Sequence, residues 1–356
     1  MRATTFLAAA LPAVLALQSS LSKNLPSRTV AQLPDGTWFE NIAARSNGDL
    51  LVTNLGDNPG LYTVRNPTAA KSKFELLIPA EDLDGANILL GLAEIDTDDD
   101  TETFGLVAGQ AAALGQYVPG SYSIWTVKFH KSKHGRENLA VKKVSDGTKS
   151  SVLLNGMTAI PGVTNVALVA DSGGLVARVD LNSGAYDDTS FAFAETMTAS
   201  PNASMPIGVN GVHVRDNYLY WTNTDLATIY RLPITKNGYP KPDAEPEAVA
   251  NLSDLTALID DFILDKHGNA WVAAFDINSL VRVDARSGKG KVVAGSPNEL
   301  ILPGVTSATF GRGKKDQEVL YLTTSGGLAG PVNGKTEGAK VVAVDTAGSA
   351  CGKGNE

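Results

Sequence analysis

The chain has one cysteine in 356 residues, Cys351 in a glycine-rich tail, so no internal disulfide can staple it. Stability must come from burial, and the length permits a large core. Cationic charge is also scarce: 30 Lys and Arg face 38 Asp and Glu, a formal net charge of -8. That balance excludes nucleic acid as a partner, because displacing phosphate counterions needs clustered cations. Long apolar runs are missing except for residues 6–17, which fall short of the roughly 20 residues of a membrane span. The Gly-x-Ser-x-Gly elbow, the His-Glu-x-x-His helix, the Gly-x-x-x-x-Gly-Lys-Ser/Thr phosphate loop and paired-cysteine metal sites are all absent. Serine-elbow hydrolysis, zincin-type proteolysis, P-loop phosphoryl transfer and cysteine-zinc chemistry therefore lose their usual sequence support.

What is present is a repeat. The stretch 206–232, PIGVNGVHVRDNYLYWTNTDLATIYRL, has a polar start at Asn210-Gly211, one apolar strand around Tyr220, a turn and a second strand. Equivalent units centre on Leu51, Leu106, Leu168, Trp271 and Tyr321, with successive steps of 55, 62, 52, 51 and 50 residues. That period matches propeller blades rather than helical solenoids. With 35 Gly, 17 Pro and only 19% charged residues, the composition also suits many short strands and tight turns. The expectation is an all-β fold, a single six-bladed β-propeller over residues 21–346, followed by a flexible tail at 347–356.

Residues 1–20 read as a secretory signal peptide: Arg2, a short apolar stretch, then small residues from Ala16 to Ser20. The implied location is outside the cell or in the secretory-pathway lumen. The sequons at Asn202 and Asn251 fit that route as glycosylation sites. Residues 23–34 read as an extended arm. The acidic run 96–102, five carboxylates in seven residues, lacks EF-hand spacing and reads as a solvated hairpin tip. His130 and His134 sit among lysines in a charged hairpin, a solvated surface rather than a metal site. Asp171, Asp180, Asp265 and Asp284 read as structural. His213 falls on the far side of its strand from Asn210 by alternation, as a blade-packing residue.

In a propeller the residue opening each innermost strand points into the central channel. Those positions read Glu40, Asn155, Asn210, Asp260 and Thr306, with blade two opening near Gly91. Four of the six are acids or amides. Converging oxygens of this kind suit a hard divalent cation, and they suit a polar organic ligand equally. Asn-Gly before a strand is also an ordinary turn, so Asn155 and Asn210 admit a structural role. Glu40 is harder to explain that way, since a carboxylate between Phe39 and Ile42 needs a partner when buried.

These openings resemble the SMP-30/gluconolactonase/LRE-like six-bladed propellers. The resemblance implies a metal-dependent lactonase or esterase in which Glu40, Asn155, Asn210 and Asp260 hold a divalent cation (Ca, Zn or Mn), with Asp260 as base. Glu-Gly-Pro of that family is replaced by Glu40-Asn41-Ile42, and Asp-Gly by Asp260-Asp261. The phrases around Trp38 to Ile42, Leu154 to Thr158, Pro206 to Gly211 and Asp260 to Phe262 are similar to a secreted fungal branch. That branch includes the hetero-Diels-Alderases of tropolonic sesquiterpenoid biosynthesis.

This second resemblance implies an enzyme of fungal secondary metabolism that needs no cofactor. Its small-molecule substrates would be a tropolone quinone methide and a humulene-type sesquiterpene. The catalytic set would be Glu40, Asn41, Asn155, Asn210, Asp260 and Asp261, with Trp38, Phe39 and Phe262 holding hydrocarbon. A non-enzymatic propeller that presents a ligand or protein surface is the third reading. Oligomeric state is open at this level.

Overall fold

Six four-stranded antiparallel sheets organise the chain in a computed structural model that describes residues 24–130 and 138–347. Residues 1–20, where a signal peptide is expected, lie outside the described residues, as do His134, Cys351 and the tail from 348 onward. Each sheet is a blade of a β-propeller. Five blades follow chain order from the innermost strand outward, with a hairpin inserted in the second. The innermost strands are Phe39–Ala44, Ile88–Thr97, Leu154–Ile160, Val209–Arg215 and Phe262–Leu264. In the sixth, Val305–Phe310, Val319–Thr324 and Lys340–Asp345 take their outermost neighbour from the start of the chain, Ser27–Gln32. The arm expected at residues 23–34 is thus largely a strand, paired from Ser27 opposite Val344 to Gln32 opposite Lys340. Exchanging strands across the join closes the ring and leaves no free edge between first and last blades.

The blade markers read from the repeat lie on the second strands. Leu51 pairs with Ala43, Leu168 with Thr158, Tyr220 with His213, Trp271 with Ile263 and Tyr321 with Thr309. Blade two is one residue out of that register. There Gly105, paired with Ala93, is the counterpart, and Leu106 pairs with Leu92.

Six apolar clusters fill the seams between neighbouring blades. Leu51 and Leu61 meet Leu92 and Phe104 across the first seam, and Phe39 and Val52 meet Tyr321 and Val341 across the last. Alternating strand residues feed the two faces of each sheet, so every blade contributes to two seams. The acidic stretch 96–102 forms an exposed hairpin tip up to Asp100. Glu102 departs from that expectation: it is fully buried against Arg45, Nη2 to Oε2 2.6 Å, with the guanidinium over the Phe129 ring. Among the described residues no helix is long and apolar enough to cross a membrane.

Candidate active site at the channel mouth

Five of the six innermost strands carry an irregularity at their start. The ladder skips between Phe39 and Ile42, Leu89 and Leu92, Leu154 and Met157, Val209 and Val212, and Val305 and Ala308. Two residues per blade are left out of pairing: Glu40-Asn41, Leu90-Gly91, Asn155-Gly156, Asn210-Gly211 and Thr306-Ser307. In blade five Asp260-Asp261 precede the strand at the same place. Bulges re-aim consecutive side chains that strict alternation would send to opposite faces. Threonines from the second strands fix the turn, with Thr53, Thr222 and Thr323 hydroxyls accepting from the N–H of Asn41, Gly211 and Ser307.

The first residue of each pair and the second end at different levels. Glu40, Asn155, Asn210 and Asp260 line a cavity of ≈ 560 Å³ at the channel mouth. Trp38 donates from Nε1 to Glu40 Oε2 at 2.8 Å. Asn210 Nδ2 donates to Asp260 Oδ1 at 2.8 Å and to Thr224 Oγ1 at 3.0 Å. The Asn155 carboxamide has no hydrogen-bond partner among the described residues and opens on the cavity. Burial pushes the Glu40 carboxyl up to about 7, opposed by the Trp38 bond and reinforced by the Asp261 charge. Asp260 is likewise held well above its usual range, by burial first and then by the Glu40 and Asp261 charges.

The rest of the lining is mainly apolar, with Gln116, Tyr117, Ser172, Ser204 and Thr224 as its polar members. Trp38 and Phe275 stack with centroids 5.8 Å apart, and Leu153, Met205, Ile207 and Leu328 complete the enclosure. Among the described residues no Lys, Arg or His lines the cavity. Rim segments come from the loop before blade four and from a hairpin, Ala111–Ala113 and Gln116–Tyr117, inserted between the second and third strands of blade two.

Several expected site residues are elsewhere. Asn41 and Asp261 lie one level below the cavity, bonded to each other at 3.2 Å, with Ser307 Oγ donating to Asp261 at 2.9 Å. Phe39 is fully buried in a seam, 4.8 Å from the Phe74 ring, and Phe262 is fully buried edge-on to His213. Neither lines the cavity, because the residues flanking the bulge return to the alternation of the blade. Trp38 does line it. Thr306 is closed off, donating to the Phe39 carbonyl. His213 packs on Phe262, and its Nε2 also comes within 3.4 Å of Asp261 Oδ1, since the bulge adds a residue to the count from Asn210. Tyr117, Phe275, Met205 and Leu328 were not foreseen. The long step between blades two and three was the one sequence signal for Tyr117. Asn202 and Asn251 are exposed.

Among the described residues no group of three His, Cys, Asp or Glu side chains is arranged to hold a metal ion. A divalent cation would therefore need the Asn155 and Asn210 amide oxygens beside Glu40 and Asp260. The partnerless Asn155 amide and the mutual repulsion of two buried carboxyls fit such a role.

The fold is that of a six-bladed propeller with its polar groups gathered at one channel mouth. The chain is similar over 327 residues to a protein of Sarocladium schorii provisionally named a hetero-Diels-Alderase, at 29% identity, covering 84% of this chain and 78% of the relative. A Phoma protein provisionally given the same activity is 27% identical over 318 residues, 84% of this chain and 86% of its own length. Among solved structures, the calcium-binding protein regucalcin from Agrobacterium tumefaciens aligns with a TM-score of 0.59 at 13% identity. It covers 90% of this chain and 95% of its own. No family model matches the chain.

Proposed function

We propose that the protein is a pericyclase, joining an oxygen-bearing heterodiene such as a tropolone quinone methide to a humulene-type alkene in the channel cavity. The observation that carries this reading is a cavity of mainly apolar lining over a hydrogen-bonding floor, with no cationic side chain in it among the described residues. The similarity to two relatives bearing that activity in their names supports it. The volume suits a drug-sized ligand, within the roughly 300–1,000 Å³ common for such sites.

In a hetero-Diels-Alder step one C–C and one C–O bond form as three π bonds become one, and no proton is transferred. The protein need only align the partners and stabilise charge growing on the heterodiene oxygen. Alignment is worth up to about 7–11 kcal/mol when the geometry is ideal. Trp38, Phe275 and Leu153 would hold the hydrocarbon, while Asn155 and the protonated carboxyl of Glu40 would donate to the oxygen. Because Glu40 carries its proton below about 7, turnover should decline on the alkaline side.

A second reading is favoured by the two carboxyls and two amides sharing one floor. A divalent cation held by Glu40, Asn155, Asn210 and Asp260 would supply Lewis-acid polarisation of an ester carbonyl. That makes the protein a lactone hydrolase.

Two parallel assays separate them: purified protein is incubated with a released o-quinone methide and humulene, and separately with a lactone, each with and without EDTA. Faster formation of a single stereoisomer, unchanged by EDTA, is the expected result. Background rate and racemic product under both conditions would overturn the pericyclase reading. Lactone turnover that is lost with EDTA and restored by Ca, Zn or Mn would establish the second instead. A secretory location goes with either reading and is checked by finding the mature chain, glycosylated at Asn202 and Asn251, in the culture medium.

A further inference from the structure

Among the described residues the blade-two hairpin is the one insertion that forms a two-stranded sheet of its own, while the equivalent connection of blade six holds a single bridge between Val332 and Lys335. It is fixed at its base, where the Asn87 side chain exchanges two 2.8 Å hydrogen bonds with the backbone of Ala111 and the Val118 N–H bonds Gln110. Beyond that base the hairpin stands between two spaces. On one side is the channel cavity; on the other is a second cavity of ≈ 390 Å³, bounded by Leu55, Asn87 and Ile88. Leu114, Gly115 and Tyr117 line both.

Gln116 and Tyr117 are the hairpin's polar side chains on the channel cavity, and of the two Tyr117 is half-buried while Gln116 is exposed. The Tyr117 ring packs against the core cluster that contains Trp38 and Phe275. Its hydroxyl has no hydrogen-bond partner among the described residues, although a phenol in such surroundings ordinarily finds one. Burial raises its pKa, and the charges of Glu40 and Asp260, both of which reach it, raise it further. A phenol is protonated at neutral pH in any case, so it is available as a donor. The floor groups come from the innermost strands; this one comes from the rim.

We infer that Tyr117 is a ligand-contacting residue: its phenol hydroxyl donates to a ligand oxygen from the rim, opposite the floor, and its hairpin selects oxygen-bearing over purely hydrocarbon ligands. The inference rests on reading the channel cavity as a small-molecule site. It does not require that a cycloaddition take place there.

The test measures binding alone, with two probes of similar shape, tropone and cycloheptatriene, titrated calorimetrically into the full chain. For Tyr117→Phe the expected result is a tropone affinity about fivefold weaker than wild type, with cycloheptatriene unchanged, the loss of one neutral hydrogen bond. Tyr117→Ala weakens both probes, because the ring is a wall as well as a donor. Equal tropone affinity in wild type and Tyr117→Phe would overturn the inference, and so would failure of the wild-type protein to bind tropone. If the fivefold loss is found but no cycloadduct forms in the EDTA experiment, the pericyclase reading fails and Tyr117 keeps its assignment.

Discussion

Two rings of residues, adjacent in sequence and stacked along the channel, differ in almost every physical respect. The upper one, Glu40, Asn155, Asn210 and Asp260, faces the cavity, with an amide that has no partner among the described residues and carboxyls raised by burial. The lower one, Asn41, Gly91, Gly156, Gly211, Asp261 and Ser307, is closed on itself. A Cβ on Gly91 would meet the Asn155 carbonyl at 2.1 Å, and one on Gly156 the Asn210 carbonyl at 2.4 Å, so the backbones touch around the ring. Asp261 completes the circuit by accepting from Asn41 and Ser307. In five blades one bulge supplies both rings, and in blade five the pair Asp260-Asp261 precedes the strand. One residue of each pair closes the propeller, and in four blades the other is left for chemistry.

The largest break in this comparison is steric. In Gly211→Ala the new methyl would lie 2.0 Å from Asp261 Oδ1 and 2.8 Å from its Cα, and a neighbouring blade cannot yield without opening the seam. Overpacking of this kind should cost about 3 kcal/mol. Urea unfolding reads it directly, and a midpoint equal to wild type would mean that the lower ring is not the closure.

The upper ring should show its cost through pH. Glu40 ionises near 4.5 when unfolded and near 7 when folded. Between those values the folded state holds more protons, so the stability linked to this group is complete below 4.5 and is lost as pH rises through 7. The shift corresponds to about 3 kcal/mol, and Asp260 acts in the same direction. Stability measured from pH 4 to 8 should therefore decline, and Glu40→Gln should flatten the decline. Parallel curves for the two proteins would remove Glu40 from the buried floor.

How far these rings were legible follows from what makes them. Repeat spacing and Asn-Gly turns identify the six units, because every blade must bury the same faces. The upper ring was readable as the polar residue opening each innermost strand. The lower ring was not, since alternation sends Asn41 and Asp261 away from their neighbours, and only the bulge brings both residues of a pair inward. Phe39 and Phe262 misled for the same reason: next to a site residue in sequence, they return to the seam in space. Residues 27–32 gave no sign of pairing with the last blade, a contact set by ring closure. Tyr117 sits in an insertion whose excess length was visible while its direction over the mouth was not.

The smallest effects make the sharpest comparison, because they set two asparagines against each other. Asn41 donates to Asp261 and accepts from the Ile42 N–H, so Asn41→Ala leaves a buried carboxylate and an amide short of partners. The expected loss is about 2 kcal/mol of stability. Asn155 binds nothing among the described residues, so Asn155→Ala strands no group, and stability should stay within about 0.5 kcal/mol of wild type. Its loss belongs to turnover: removing one donor to a developing negative charge should slow the reaction about tenfold or more. If Asn155→Ala instead unfolds the protein while leaving turnover intact, the upper ring is scaffold like the lower. The partition of each bulge into one closing and one reacting residue would then be wrong.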